Sequence, residues 1–244
     1  DDRIYAVGAH AIIIYSDDLG ESWTQSELVP YTNTLTDIYC VSVQECWATG
    51  HEATIIHSND GGKTWVKQYE DVDYDAPLLS IHMFDNKEGV AIGAFALSLR
   101  TTDGGKSWGY LFLDDDEFQP HLNHAYGDAQ AWRVSAQNES YAVGELGKYY
   151  ISNDRGLNWL VIETGYEGSY WSGIKVDDGQ SLLLGMSGNI TLITLYANDD
   201  KIPGDKLTSL ACYESGSYAG DCKVFAFDKL NIGTKNSLTD AIIL

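Results

Sequence analysis

Ser58-Asn59-Asp60-Gly61-Gly62-Lys63-Thr64-Trp65 is the stretch that decides the fold, because three variants of it recur along the chain. They are Ser16-Asp17-Asp18-Leu19-Gly20-Glu21-Ser22-Trp23, Thr101-Thr102-Asp103-Gly104-Gly105-Lys106-Ser107-Trp108 and Ser152-Asn153-Asp154-Arg155-Gly156-Leu157-Asn158-Trp159. The shared pattern is [Ser/Thr]-x-Asp-x-Gly-x-[Ser/Thr/Asn]-Trp. From Trp23 to Trp65, Trp108 and Trp159 the steps are 42, 43 and 51 residues. A period of that size signals stacked or radially arranged units. In each copy a short carboxylate can accept the unpaired N–H groups of a tight turn. The Gly two residues later takes positive φ without steric cost. The Trp buries a large ring whose N–H needs one partner. These aspartates therefore read as turn supports, not as catalytic groups.

A second phrase precedes each copy: Tyr5-Ala6-Val7-Gly8, Trp47-Ala48-Thr49-Gly50, Val90-Ala91-Ile92-Gly93 and Tyr141-Ala142-Val143-Gly144. A fifth, Leu182-Leu183-Leu184-Gly185, has only the degenerate Asn198-Asp199-Asp200 after it. After each Gly comes a short turn and then an apolar run such as Ile12-Ile13-Ile14-Tyr15, which reads as a strand. First strands lie upstream, including Thr36–Val41, Leu79–Phe84, Trp132-Arg133-Val134 and Ser172–Val176. No amphipathic helix is visible. Each unit is four antiparallel strands, the blade of a propeller.

The eight-residue phrase resembles the Asp box of the BNR-repeat β-propellers, a sialidase-like superfamily. The repeats are also similar to those of photosystem II stability and assembly factors. The resemblance implies that the box joins the third and fourth strands of a blade, away from the usual binding face. It also implies a chaperone or binding platform, usually of seven blades with an Arg-rich face. Sialidases hold a substrate carboxylate with three arginines, whereas this chain has only Arg3, Arg100, Arg133 and Arg155.

The expected fold is all-β: one domain, 1–244, forming a five-bladed Asp-box β-propeller. Blade 1 spans 1–30 plus 237–244, blade 2 spans 34–72, blade 3 spans 77–114, blade 4 spans 129–164 and blade 5 spans 170–232. An insertion at about 198–222 replaces the box turn of blade 5. Ring closure is expected by the C-terminal strand pairing into blade 1. The reason is that Ser237-Leu238-Thr239-Asp240 echoes Thr34-Leu35-Thr36-Asp37. Such closure removes exposed sheet edges.

The formal net charge is −21 over 244 residues, with a pI of about 4.3. That balance excludes nucleic acid as a partner, because a phosphate backbone needs a cationic footprint. No run is apolar enough for membrane insertion. Disulfides Cys40–Cys46 and Cys212–Cys222 are expected, since each pair brackets a local turn, and they point to a secreted, extracytoplasmic or lumenal compartment. Asn138-Glu139-Ser140 and Asn189-Ile190-Thr191 match the glycosylation sequon.

Function is expected on the face opposite the boxes, which gathers acidic and aromatic residues. The ligand-binding candidates are His10, His51, Glu52, Phe95, Glu145, Tyr166, Tyr170 and Trp171. A divalent metal would use His10, His51, His121 and His124, with imidazole suiting zinc, copper or iron. Catalysis would fall to Glu52, Glu145, His51 or His121. The leading expectation is a monomeric, non-enzymatic binding or assembly module with a protein partner. The alternative is a metal-dependent or carboxylate-based hydrolase or lyase acting on a carbohydrate or small organic substrate.

Overall fold

Short β-branched and aromatic runs separated by glycine turns favour strands, and the computed structural model of the chain is built from them. It describes residues 3–74, 76–111, 122–127, 140–177, 179–196, 207–212 and 222–230. The chain divides into two compact units, 1–119 and 120–244. Each is a set of antiparallel sheets.

The first unit holds three sheets. One is β1 (Ile4–Val7), β2 (Ile13–Ser16) and β3 (Thr24–Gln25). The next is β4 (Leu35–Cys40), β5 (Cys46–Gly50), β6 (Ile55–Ser58) and β7 (Val66–Tyr69). The third is β8 (Leu78–Met83), β9 (Gly89–Gly93), β10 (Ser98–Thr101) and β11 (Gly109–Tyr110). All five residues of β5 are buried. Trp47 packs with Ile81, Met83 and Leu99 of the third sheet. Cys46 and Ala48, on the other face of the same strand, pack with Ile13 of the first sheet. A strand that is apolar on both faces needs a sheet on each side, so the second sheet is sandwiched.

Sheet entries are tied together as well. Asp37 of β4 accepts hydrogen bonds from Ser80 Oγ (2.8 Å) and the Ile81 amide (2.9 Å) of β8. Both strands carry a register irregularity there, between Leu35 and Asp37 and between Leu78 and Ser80. β8 is the edge strand of its sheet, so the carboxylate gives these donors an acceptor from the neighbouring sheet.

The second unit holds two sheets. One is β12 (Leu122–Gly127), β13 (Ser140–Gly144), β14 (Lys148–Ser152) and β15 (Leu160–Glu163). The other is five-stranded, in the order β16 (Tyr170–Asp177), β17 (Gln180–Gly185), β18 (Ile190–Tyr196), β20 (Cys222–Leu230), β19 (Leu207–Cys212). Tyr149, Ile151 and Ile162 share a core with Leu183 and Ile193.

Two boundaries differ from expectation. Leu122–Gly127 fills the first-strand place expected of Trp132-Arg133-Val134, which lies outside the described residues. Leu122 opposes Gly144 as Leu35 opposes Gly50 and Leu78 opposes Gly93, so Leu122 marks the entry. In the last sheet β20 takes the expected fourth place, and the insertion adds β19 as a fifth strand. The Cys40–Cys46 disulfide is present. In the backbone register Cys212 lies opposite Cys222 at the end of the β19–β20 hairpin. Residues 237–244 and the insertion segments 197–206 and 213–221 lie outside the described residues. Among the described residues no helix is long and apolar enough to cross a membrane.

Candidate functional site

The box and the glycine turn sit at opposite ends of the third strand of a sheet, and the two ends are built differently. At the box end the Asp carboxylates and their neighbouring hydroxyls are used internally, while the buried Trp108 indole N–H of the third box finds no acceptor among the described residues. Asp60 Oδ1 accepts from the Thr64 amide (2.9 Å) and Oδ2 from the Thr64 hydroxyl (2.6 Å). Ser58 Oγ donates to Asp60 (2.8 Å) and accepts from the Gly62 amide (2.9 Å). Asp18, Asp103 and Asp154 repeat the arrangement with Ser22, Ser107 and Asn158. Trp23, Trp65 and Trp159 each donate the indole N–H to the carbonyl of the box Gly. Two consecutive residues are left-handed, Leu19–Gly20, Gly61–Gly62, Gly104–Gly105 and Arg155–Gly156. Hydrogen bonds hold the Asp18, Asp60 and Asp103 carboxyls below the usual range. For Asp18 the Ser22 hydroxyl acts first, with the Ser22 amide and Ser16 Oγ, and the value falls to about 2. At Asp60 burial opposes ionisation, but the Thr64 hydroxyl and amide outweigh it.

At the other end the turns project side chains outward. Each puts a non-glycine residue at its apex in the left-handed region: His10, Glu52, Phe95, Leu146 and Ser187. L-residues seldom adopt that conformation, and it persists only where surrounding bonds over-determine it. Those bonds are visible. The Ala53 amide donates to Ala76 O (2.8 Å), and the His51 amide to Thr34 O (3.2 Å), clamping the second sheet's turn between two loops. Ala11 and Gly147 donate in the same way to Asn33 O and Gly168 O. The preceding Gly is required by close approach: a Cβ on Gly93 would stand 2.1 Å from Pro77 O, and one on Gly50 2.5 Å from Thr34 O.

Three loop tyrosines complete the clamp. Tyr31 donates to His51 O (2.9 Å), Tyr74 to Phe95 O (3.2 Å) and Tyr166 to Met186 O (2.8 Å). Burial pushes the Tyr31 phenol up to about 12. Sequence reasoning missed Tyr31 and Tyr74 in this role, although each lies in the loop joining two sheets.

The expected site residues are placed as follows. His10, His51 and Phe95 are exposed on turns, and Glu52 and Glu145 are half-buried beside them. Trp171 is 39% exposed, and Leu146 and Met186 on the glycine turns are 48% and 40% exposed. Tyr166 is half-buried, held by its bond to Met186 O. Tyr170 departs from expectation: it is fully buried on β16, its hydroxyl bonded to Thr164 (2.9 Å) and Thr191 (2.8 Å). An aromatic at a strand entry is packed by the neighbouring sheet, so Tyr170 supports the loop from beneath. His124 lies on strand β12, not on a loop, and His121 is outside the described residues. Among the described residues no three of His, Cys, Asp and Glu gather as a metal centre. Asn189 is 4% exposed and its Oδ1 accepts from Thr191 Oγ1 (3.0 Å), so this sequon is closed to a glycan. Asn138 lies outside the described residues.

Against this geometry, the sequence profile described as photosynthesis system II assembly factor YCF48 matches residues 21–202. The chain belongs to the YCF48 family. No curated protein sequence matches it. A solved YCF48 described as bound to a D1 peptide is 22% identical, with a TM-score of 0.54, covering 71% of this chain. This chain spans only 55% of that YCF48. YCF48 from Cyanidioschyzon merolae is 11% identical, with a TM-score of 0.57, covering 92% of this chain and 76% of its own. The C-terminal WD40 domain of Sif2 is 11% identical, with a TM-score of 0.59, covering 98% and 71%. These likenesses establish a β-propeller fold of the YCF48 kind.

Proposed function

We propose that this chain is a non-enzymatic binding and assembly module that docks a protein partner on its turn-and-loop face. The observation that carries the reading is the repeated clamp: strained apices held by neighbouring loops make a surface organised before any partner arrives. A surface that need not reorder on binding loses less entropy. Family membership supports the assembly role, and the YCF48 described as bound to a D1 peptide supports a peptide-like partner. In the same reading the five sheets are five blades of a single ring, closed by residues 237–244, and the working face is acidic and aromatic. The Cys40–Cys46 disulfide supports an exported or lumenal compartment.

The test is co-purification of the tagged full chain from its own cells. The wild type is compared with a variant altered at Phe95, Glu145 and Met186, and with a second variant altered at Lys63 and Lys106 in the boxes. The reading expects a partner retained by the wild type and the box variant and lost by the face variant. Equal recovery by all three would overturn it.

A further inference from the structure

Resting on that reading, we infer that the surface formed by Tyr69, Tyr74, Phe95 and Tyr110 in the first unit binds an arginine-bearing segment of a protein partner. The four rings come from β7, the loop after it, the third sheet's turn and β11, so the fold and not the local sequence brings them together. Tyr74 is 40% exposed, Tyr110 50% and Phe95 54%, with Val72 beside them at 56%. Contiguous exposed apolar surface rimmed by polar groups marks an interaction site.

The rings are also fixed in place. Tyr110 donates to Asp71 Oδ2 (2.6 Å) and the Tyr74 amide to Asp71 Oδ1 (3.1 Å). Tyr69 donates to Tyr110 (3.4 Å), and the Asp71 amide to Glu52 O (3.0 Å). The Tyr74 and Tyr110 rings lie 6.3 Å apart, inclined by 46°. With the phenol protons committed inside the cluster, the ring faces are what it offers a partner.

Charge decides what kind of partner. Glu70, Asp71 and Asp73 lie between Tyr69 and Tyr74 in the chain, Glu52 joins them through its carbonyl bond to the Asp71 amide, and the adjacent Lys67 is paired with Glu70. Aromatic faces inside a carboxylate rim attract a cation that can also lie flat, and guanidinium does both: it stacks on a ring and forks onto a carboxylate. An ammonium group matches the charge but not the plane. An anionic segment would be repelled.

The probes are three labelled 12-residue peptides on a Gly/Ser background, each with four Leu and four Arg, four Lys or four Glu, titrated into the full chain. The expected result is that the Arg peptide binds about tenfold tighter than the Lys peptide and the Glu peptide does not bind. Tyr110→Ala and Phe95→Asn should each weaken the Arg peptide at least tenfold, and Leu157→Ala in the fourth box should leave it unchanged. Asn tolerates the left-handed backbone at 95, so that variant removes the ring without adding strain. Melting curves check that both variants fold. Equal binding of the Arg and Lys peptides, or binding indifferent to both substitutions, would mean charge alone and overturn the inference. Binding of the Glu peptide, or of none, would overturn it too. In each of those cases co-purification still decides separately whether the face docks a partner.

Discussion

At the scale of the residue, the four box aspartates act as acceptors, and for three of them the fold opposes protonation. Asp18, Asp60 and Asp103 have folded pKa values below the ordinary 3.8. For Asp103 the Ser107 hydroxyl leads, as the Ser22 hydroxyl does for Asp18. A lowered carboxyl pKa stabilises the fold above the unfolded value, and the contribution disappears as pH falls through the folded value. For Asp18 that window runs from just above 3.8 down to about 2. The melting temperature should therefore decline steeply between pH 4 and pH 2. The double variant Asp18→Asn, Asp103→Asn should start lower at neutral pH and decline less over that window. Parallel curves for the two proteins would contradict the role assigned to these carboxylates.

At the scale of the element, the β4–β5 hairpin carries a covalent clamp across a sequence separation of six. Closing a loop that short restricts the unfolded chain by about 2 kcal/mol in the chain-entropy model. Cys40→Ala with Cys46→Ala should lower unfolding stability by that amount, read from denaturant titration. Reduction of the wild type should reproduce the shift, and no change on reduction would remove the clamp from the account of stability. This hairpin was legible in the sequence, as were the strands on either side of each glycine, because Gly-bounded β-branched runs report local structure directly. The first strand of the fourth sheet was not, since Leu122–Gly127 is marked only by register against Gly144. The aromatic cluster was half legible: Phe95 stood out on its turn, but Tyr69, Tyr74 and Tyr110 meet it only through pairing between β10 and β11 and through a loop bond. Leu19 and Arg155 show the same limit, taking a left-handed backbone where the other two boxes have Gly61 and Gly104.

At the scale of the whole molecule, the question is what completes the first sheet. In the second to fifth sheets β4, β8, β12 and β16 hold the place before the second strand, whereas β1 has β2 as its one described partner. Gly8 repeats the point. Carbonyls of the entry loop crowd Gly50 and Gly93, but among the described residues nothing lies within 4 Å of where a Cβ on Gly8 would stand. Leu238-Thr239-Asp240 repeats Leu35-Thr36-Asp37, including the aspartate that β4 uses against the β8 bulge. A strand edge left open is a template for pairing with other chains. If residues 237–244 supply the missing strand, deleting them should drop the melting temperature and drive the protein into oligomers, seen by light scattering. Adding the peptide 237–244 in trans should partly restore the monomer, because the ladder it completes is otherwise intact. A deletion variant that stays monomeric with an unchanged melting curve would overturn the assignment of residues 237–244 to this sheet.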